Sequence, residues 1–136
     1  VELFWTNDDQ VLLNEVAPRP HNTGHVTQDA CAVNQYENHL RGICGFPLGP
    51  THLVVGAAAM VNVLGAPSGT LEDTTKGMNA ALLMPRANVH WYGKDGCKPG
   101  RKMGHINITA DSHGELDSAL EKLLDLEGIS GSVVPG

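Results

Sequence analysis

Apolar positions in this chain change their period several times, and each change marks an element. "VELFWT" (1–6) and "VLLNEV" (11–16) are short β-prone runs on either side of "NDDQ", a cluster of turn formers, and together they predict a β-hairpin. In "TQDACAVNQYENHLRGICG" (27–45), Ala30, Val33, Tyr36, Leu40 and Ile43 recur at roughly helical spacing, with Thr27 as the expected N-cap and Gly42 or Gly45 as the stop. "FPLGPTH" is a connector. "LVVGAAAMVNVLG" (53–65) reads as one or two buried strands and "GAPSGTLEDTTKG" (65–77) as an exposed loop. "NVHWYGK" (88–94) is a strand that runs into a basic loop, "DGCKPGR", from which "KMGHINITA" (102–110) returns. In "DSHGELDSALEKLLDLEG" (111–128), Ser112 and Glu115 have capping-box spacing, and Leu116, Leu120, Leu123 and Leu124 form one apolar face of a helix. The end, "ISGSVVPG" (129–136), is small and linker-like.

Composition narrows this α+β pattern. The 136 residues, 41% hydrophobic, suffice for one modest core. A formal net charge of -6 argues against a broad nucleic-acid surface, so any anion site is local. Cys31, Cys44 and Cys97 are odd in number, far apart and without a CxxC pair, which indicates neither a disulfide framework nor a cysteine-rich zinc site and fits a reducing compartment. The longest apolar run, Leu53–Leu64, is broken by Gly56 and Asn62 and falls short of the roughly 20 residues a membrane span needs. The chain opens inside an expected strand, with no signal peptide and no initiator Met, and reads as a piece of a longer protein.

Three clusters carry chemistry. If the hairpin turns through residues 7–10, Thr6 pairs with Val11 and Glu2 lies opposite Glu15. Like charges directly opposed are destabilising unless something sits between them. A divalent cation resolves this, and Mg²⁺, which takes one or two carboxylates and completes its shell with water and phosphate oxygens, implies a nucleotide. The plainer alternative is a solvated hairpin face, or a different register. The second cluster is "APRPHNTGH" (17–25). Arg19, held between Pro18 and Pro20, offers a planar fork suited to a carboxylate-like anion such as bicarbonate, and His21 and Asn22 add donors. His21 and His25 also read as structural histidines, and zinc lacks an evident third ligand. The third cluster gathers Lys94, Lys98, Arg101 and Lys102 on a glycine-rich turn, a local phosphate site or a solvated hairpin tip. His90 and His105 on the flanking strands read as packing or hydrogen-bonding residues.

Taken in order, "NEVAPRPHNTGH", "NQYENHLRGICGFPLG", "MVNVLG" and "HWYGKDGCKPGRKMGHINIT" resemble the C-terminal part of the 5-(carboxyamino)imidazole ribonucleotide synthases, ATP-grasp ligases of purine biosynthesis that in fungi and plants form the first half of a phosphoribosylaminoimidazole carboxylase. The resemblance runs from about Val1 to Thr109 and is loose over 65–89. It implies phosphorylation of bicarbonate by ATP to carboxyphosphate and transfer of the carboxyl group to aminoimidazole ribonucleotide. It further implies Glu2 and Glu15 as Mg²⁺ ligands, Asn14 and Glu15 on the nucleotide side, Arg19, His21 and Asn22 around bicarbonate, and Asn62, Lys94, Arg101 and Lys102 on the ribonucleotide. Lys98 is left out.

The architecture so implied is α+β: the closing hairpin and helix of an ATP-grasp domain (1–48), a small β-rich C-terminal domain with a terminal helix (49–128), and a linker or tail (129–136). The expected cofactors are ATP and Mg²⁺. Expected partners are the ribonucleotide, bicarbonate, the missing N-terminal part and further copies in a homo-oligomer, with no nucleic acid and no membrane. The expected compartment is the cytoplasm, or a plastid in a plant or alga. The nucleotide-clamping lysines of an ATP-grasp lie outside these residues, so the fragment alone should not turn over, whether its parent is stand-alone or fused to a carboxylase or mutase. Two alternatives are a non-catalytic ATP-grasp-derived module that binds a phosphorylated metabolite, and an ATP-grasp ligase with another acceptor, against which "PGRKMGH" argues.

Overall fold

Strands β1 (Glu2–Trp5) and β2 (Val11–Glu15) form an antiparallel hairpin, as the two β-prone runs require. The computed structural model describes residues 1–126, 129 and 134–135. The turn is shorter than the sequence suggested. Thr6 N donates to Gln10 O, so the turn residues are 7–9, and Asp9 takes a positive φ of 61°. This is the three-residue loop in which the last residue is left-handed, a conformation aspartate tolerates better than most residues. Trp5 therefore pairs with Val11, and Phe4 and Leu3 pair with Leu12 and Leu13, one step away from the register expected with Thr6 opposite Val11. A β-bulge between Glu2 and Leu3 restores the step, so that Glu2 still faces Glu15. Two shifts of opposite sign thus leave the carboxylates paired.

The expected helix over 27–43 is divided. A 3-10 turn (Thr23–Val26) leads into a single helical turn, α1 (Thr27–Ala30). The chain then extends at Cys31, and α2 (Gln35–Ile43) starts afresh with Asn34 as its cap, accepting from the N–H groups of Tyr36 and Glu37. Thr27 does not cap by the usual route. Its hydroxyl donates to Gly24 O and accepts from Gln35 N, which fastens the two helical pieces together. The break arises after Cys31, whose N–H still bonds Thr27 O: Ala32 N and Val33 N donate to His52 O and Pro50 O on the connector, and Ala30 O accepts from Val54 N, so Cys31 bridges to Leu53.

The second sheet is antiparallel throughout, in the order β4-β5-β3-β6, from β3 (Ala57–Leu64), β4 (Ala87–Trp91), β5 (Lys102–Ala110) and β6 (Val134–Pro135). The segment expected as an exposed loop holds α3 (Leu71–Ala81), capped by Thr70 on the Asp73 N–H. Its apolar side consists of small residues, Gly77 and Ala81, which hid it from a hydrophobic-period reading. Of the expected tail, Ile129 bridges to Val63 and β6 pairs with β3; its other residues lie outside those described.

The two faces of this sheet differ, and the difference positions the site. One face presents Ala57, Ala59, Val61, Val63, Ile106, Ile108 and Ala110 to Ala81 of α3 and to Leu116 and Leu123 of α4 (His113–Leu124), forming the main core. The other face carries Asn62, His105 and Asn107 in buried positions, and only a small apolar cluster of Val26, Ala30, Ala58 and Met60 packs there. Strand alternation dictates this split, since cross-strand partners share a face. The 3-10 turn and α1 thus cover the polar face of the sheet.

Helix α4 starts as its capping box predicts, with Ser112 Oγ accepting from Glu115 N at 3.3 Å. Ser112→Ala is expected to destabilise this chain by about 1 kcal/mol, read as a lowered midpoint in urea at unchanged slope. In contrast, β1, β2 and α2 expose their apolar residues: Trp5 is 79% exposed and Leu40 61%. No helix among the described residues is long and apolar enough to cross a membrane.

Candidate functional site

The bulge at the end of the hairpin builds the first part of the site. Residues 14 and 15 together oppose Glu2, so Asn14 is re-aimed and its Nδ2 donates to Glu2 Oε2 at 2.6 Å. Glu15 Oε1 meets His21 Nε2 at 2.5 Å. An ionised carboxylate can only accept, so Nε2 is the donor in that contact, while Nδ1 lies 2.9 Å from the Thr23 hydroxyl. One ligand atom from each of Glu2, Glu15 and His21 lies within 4.8 Å of the others. His21 is therefore the third group at the carboxylate pair, and spacing did not reveal it.

The two carboxylates of this set suit a hard cation. The set places them in direct opposition on an exposed hairpin end with a histidine beside them, and it contains no thiolate. All three cysteines are free.

Gln35, from the first turn of α2, fixes the backbone of the His21 loop. His21 N donates to Gln35 Oε1 and Gln35 Nε2 donates to His21 O, both at 2.8 Å. Gly24 packs against the same glutamine, and any Cβ there would lie 2.4 Å from its Oε1. Arg19 stands apart, exposed, with one Nη1 contact to Pro20 O at 2.9 Å. Its stem borders an open cleft of about 580 Å³ that none of Glu2, Glu15, His21, Asn22 or Lys102 enters.

Asn22 joins the loop to the sheet. Its Nδ2 donates to Oδ1 of Asn62, which is 2% exposed, and its Oδ1 accepts from Lys102 Nζ at 2.8 Å. These opposite demands fix the orientation of the amide. Among the expected cations, Lys102 is the one brought to the loop. Lys94 donates to Lys102 O at 2.6 Å and lies over the Tyr92 ring, and Arg101 donates to Asp95 O and Gly96 O. Both brace the basic loop that carries Lys102. Gly65 lets that loop close on the end of β3: a Cβ there would sit 2.1 Å from Lys98 O.

His90 and His105 pack and form hydrogen bonds, as read from the sequence, and His25 joins them in an arrangement that spacing did not reveal. His90, His105 and His25 stack, with ring centroids 4.5 Å and 4.6 Å apart, and Tyr36 extends the stack over His25. Tyr92 Oη bonds His105 Nδ1 at 2.8 Å. Burial, then repulsion from His25 and His90, pushes the His105 pKa down to about 3, and burial also lowers that of His25. Asp29 accepts from His90 Nε2 at 2.8 Å and from Asn107 Nδ2 at 2.6 Å. The available signal was strand alternation, which puts Asn88, His90, His105 and Asn107 on one face.

Comparison with known proteins identifies two matched segments. Residues 1–36 match the ATP-grasp domain, and residues 58–119 match the phosphoribosylaminoimidazole carboxylase C-terminal domain. The chain is 43% identical over 131 residues to the chloroplastic phosphoribosylaminoimidazole carboxylase of Vigna aconitifolia, covering 95% of this chain and 24% of that protein. It is 46% identical over 125 residues to the N5-carboxyaminoimidazole ribonucleotide synthase of Vibrio vulnificus, covering 90% of this chain and 30% of that protein. In structure it resembles the Aspergillus clavatus N5-carboxyaminoimidazole synthase in complex with ADP and 5-aminoimidazole ribonucleotide, with a TM-score of 0.83 at 35% identity over 90% of this chain and 33% of that one. It likewise resembles the phosphoribosylaminoimidazole carboxylase ATPase subunit of Aquifex aeolicus, with a TM-score of 0.80 at 40% identity over 92% of this chain and 36% of that one. The chain thus spans about a quarter to a third of these relatives' lengths. It belongs to the N5-carboxyaminoimidazole ribonucleotide synthase family and matches the C-terminal part of its members.

Proposed function

We propose that this chain is the part of an ATP-dependent carbon-nitrogen ligase of purine biosynthesis that carries the metal-binding carboxylates, the bicarbonate loop and most of the ribonucleotide site. The parent would phosphorylate bicarbonate with ATP and pass the carboxyl group of carboxyphosphate to the amine of aminoimidazole ribonucleotide. The observation that carries this reading is Asn22. It follows directly on His21 at the carboxylate pair, and its own amide bonds Asn62 and Lys102 on the sheet. A carboxyl donor held at the first would lie next to an acceptor held at the second, which is the proximity a two-step transfer needs.

Each residue then has a task. Glu2 and Glu15 would hold Mg²⁺, with Asn14 and Glu15 on the nucleotide side. When bound, that ion supplies positive charge beside the transferring phosphoryl group. The exposed fork of Arg19 takes the planar anion, and His21, its ring fixed between Glu15 and Thr23, orders the carboxylate side of the site. Lys102, with Lys94 and Arg101 bracing its loop, takes the 5′-phosphate through charge-assisted bonds, and Asn62 orients the acceptor. The boundary between the two functional parts is set near residues 48–49, a reading supported by family matches that end at 36 and resume at 58. The exposed apolar residues of β1, β2 and α2 are read as the surface on which the remainder of the ATP-grasp domain packs, so the fragment alone is inactive. A soluble reducing compartment, cytoplasmic or plastidic, and a homo-oligomeric parent complete the proposal.

The test follows ADP release by the full-length parent with ATP, Mg²⁺, bicarbonate and aminoimidazole ribonucleotide. Lys102→Ala is expected to raise the KM for the ribonucleotide about 10- to 100-fold, the loss of one charge-assisted bond, and to leave the KM for ATP unchanged. Arg19→Ala should lower kcat instead. A wild-type parent that binds the ribonucleotide but releases no ADP in response would overturn the ligase reading in favour of a binding module.

A further inference from the structure

The stack of rings and the two bonds to Asp29 lie beside the groups just assigned, with His105 pairing with Asn62 across the sheet, on the seam between the helical segment 23–30 and the sheet. Two rows of side chains cross this face of the sheet: His90, His105 and Asn62 in one, Asn88, Asn107 and Met60 in the next. Asp29 Oδ2 accepts from one residue of each row, His90 and Asn107, which are 61 and 78 positions away in sequence. Asn107 Nδ2 also donates to His25 O at 2.9 Å, and the His25 ring stacks on His105. Both ends of the segment are therefore tied to the same strands.

The apolar contact across this seam is small: Val26 and Ala30 against Ala58 and Met60. Such a contact gives adhesion but little direction. A half-buried carboxylate bonded by an imidazole and an amide still costs desolvation, and an apolar pair could hold the surfaces together as well, so what the polar contacts add is a fixed register. The register reaches Asn22 through one rigid turn. His25 N donates to Asn22 O and Gly24 N to His21 O, so residues 21–25 move as a unit with the segment that Asp29 holds. A shift at Asp29 is a shift at Asn22.

We propose that Asp29 is a positioning residue of the site: through His90 and Asn107 its carboxylate fastens segment 23–30 to the polar face of the sheet and so sets where Asn22 meets Asn62 and Lys102. What the positioned loop does rests on the ligase reading, whereas the fastening itself does not. Asp29 touches no group assigned to substrate.

The experiment uses the full-length parent with Asp29→Ala, Asp29→Asn and His90→Gln, reading steady-state kinetics together with amide hydrogen exchange over residues 19–26. Asp29→Ala is expected to lower kcat/KM for the ribonucleotide about 10- to 100-fold, the scale of a misplacement of about 1 Å. The KM for ATP stays unchanged and exchange over 19–26 accelerates. Asp29→Asn keeps an acceptor for Asn107 or His90 and recovers most of the loss. His90→Gln keeps a donor and falls between; should Asp29→Ala not fold, these two variants decide. Wild-type kinetics with wild-type exchange in the variants overturns the proposal. So does an equal rise in both KM values, the signature of a general structural fault. If the wild-type parent shows no ribonucleotide-dependent turnover, the ligase reading falls alone: faster exchange over 19–26 in the variants still sustains the fastening, and unchanged exchange removes it.

Discussion

Glu15→Gln in the full-length parent is expected to lower ribonucleotide-dependent ADP release at least about a thousandfold, at or beyond the upper end of what removing one electrostatic contact at a reacting centre costs. The size follows from how many things Glu15 does in one place. It faces Glu2 across the hairpin, and it holds the His21 ring through Nε2. Gln keeps the shape and one acceptor oxygen, so His21 retains a partner and the loop stays in place, but the negative charge is lost. Half-saturating Mg²⁺ should therefore rise steeply while ribonucleotide binding persists, since Asn62 and Lys102 are untouched. Glu2→Gln is expected to act in the same direction but less, because Asn14 Nδ2 already occupies one Glu2 oxygen at 2.6 Å. The measurement is ADP release across a Mg²⁺ titration, with ribonucleotide affinity taken separately by calorimetry. A Glu15→Gln parent with a normal Mg²⁺ dependence would remove the carboxylate pair from the metal assignment.

How far the sequence disclosed this site depends on the kind of signal each part left. The facing of Glu2 and Glu15 was inferred from a register that is off by one at Trp5 and Val11, and a bulge at Asn14 that no sequence rule announces brought the two back into opposition. The antiparallel return of β5 from the basic loop and the cap at Ser112 were readable because alternation and capping are local properties. Helix α3 was not. Its buried residues, Thr74, Gly77 and Ala81, are small or polar and leave no hydrophobic stripe. The continuous helix expected from Thr27 failed for a different reason. Its apolar positions Tyr36, Leu40 and Ile43 do keep helical spacing, but Ala30, Ala32 and Val33 find backbone partners on the connector, a long-range contact that spacing cannot register. Asp29 gave no sign at all. It sits in the first turn of a short helix, where an acidic residue is ordinary, and only the fold reveals that its partners come from β4 and β5.

The polar seam should also make the chain acid-sensitive, through His105. This residue is 1% exposed, with His25 stacked on one side, His90 on the other and the Tyr92 hydroxyl on Nδ1; Asp29 lies nearby on α1, and Lys102 begins the same strand. Burial and the two histidines hold its pKa at about 3, against 6.5 for the free side chain, and Asp29 opposes that shift too weakly to reverse it. Because the folded-state pKa lies below the unfolded one, the unfolded chain binds the extra proton between them. The neutral ring therefore supports the fold fully above about pH 6.5, and that support drains away as pH falls towards 3. The loss from this one group is roughly 2 kcal/mol by pH 5 and roughly 3 kcal/mol by pH 4, with His25 acting in the same sense. His105→Phe keeps a ring between His25 and His90 but cannot take the proton. It strands the Tyr92 hydroxyl, which lowers stability by about 1–3 kcal/mol at every pH, so the informative quantity is the slope and not the offset. Urea unfolding of this chain followed by circular dichroism from pH 4 to 8 should give a wild-type curve that falls towards acid and a His105→Phe curve that is flatter by that amount. Two parallel curves would mean that the fold opens far enough to hydrate His105, and that the stack does not hold the ring neutral.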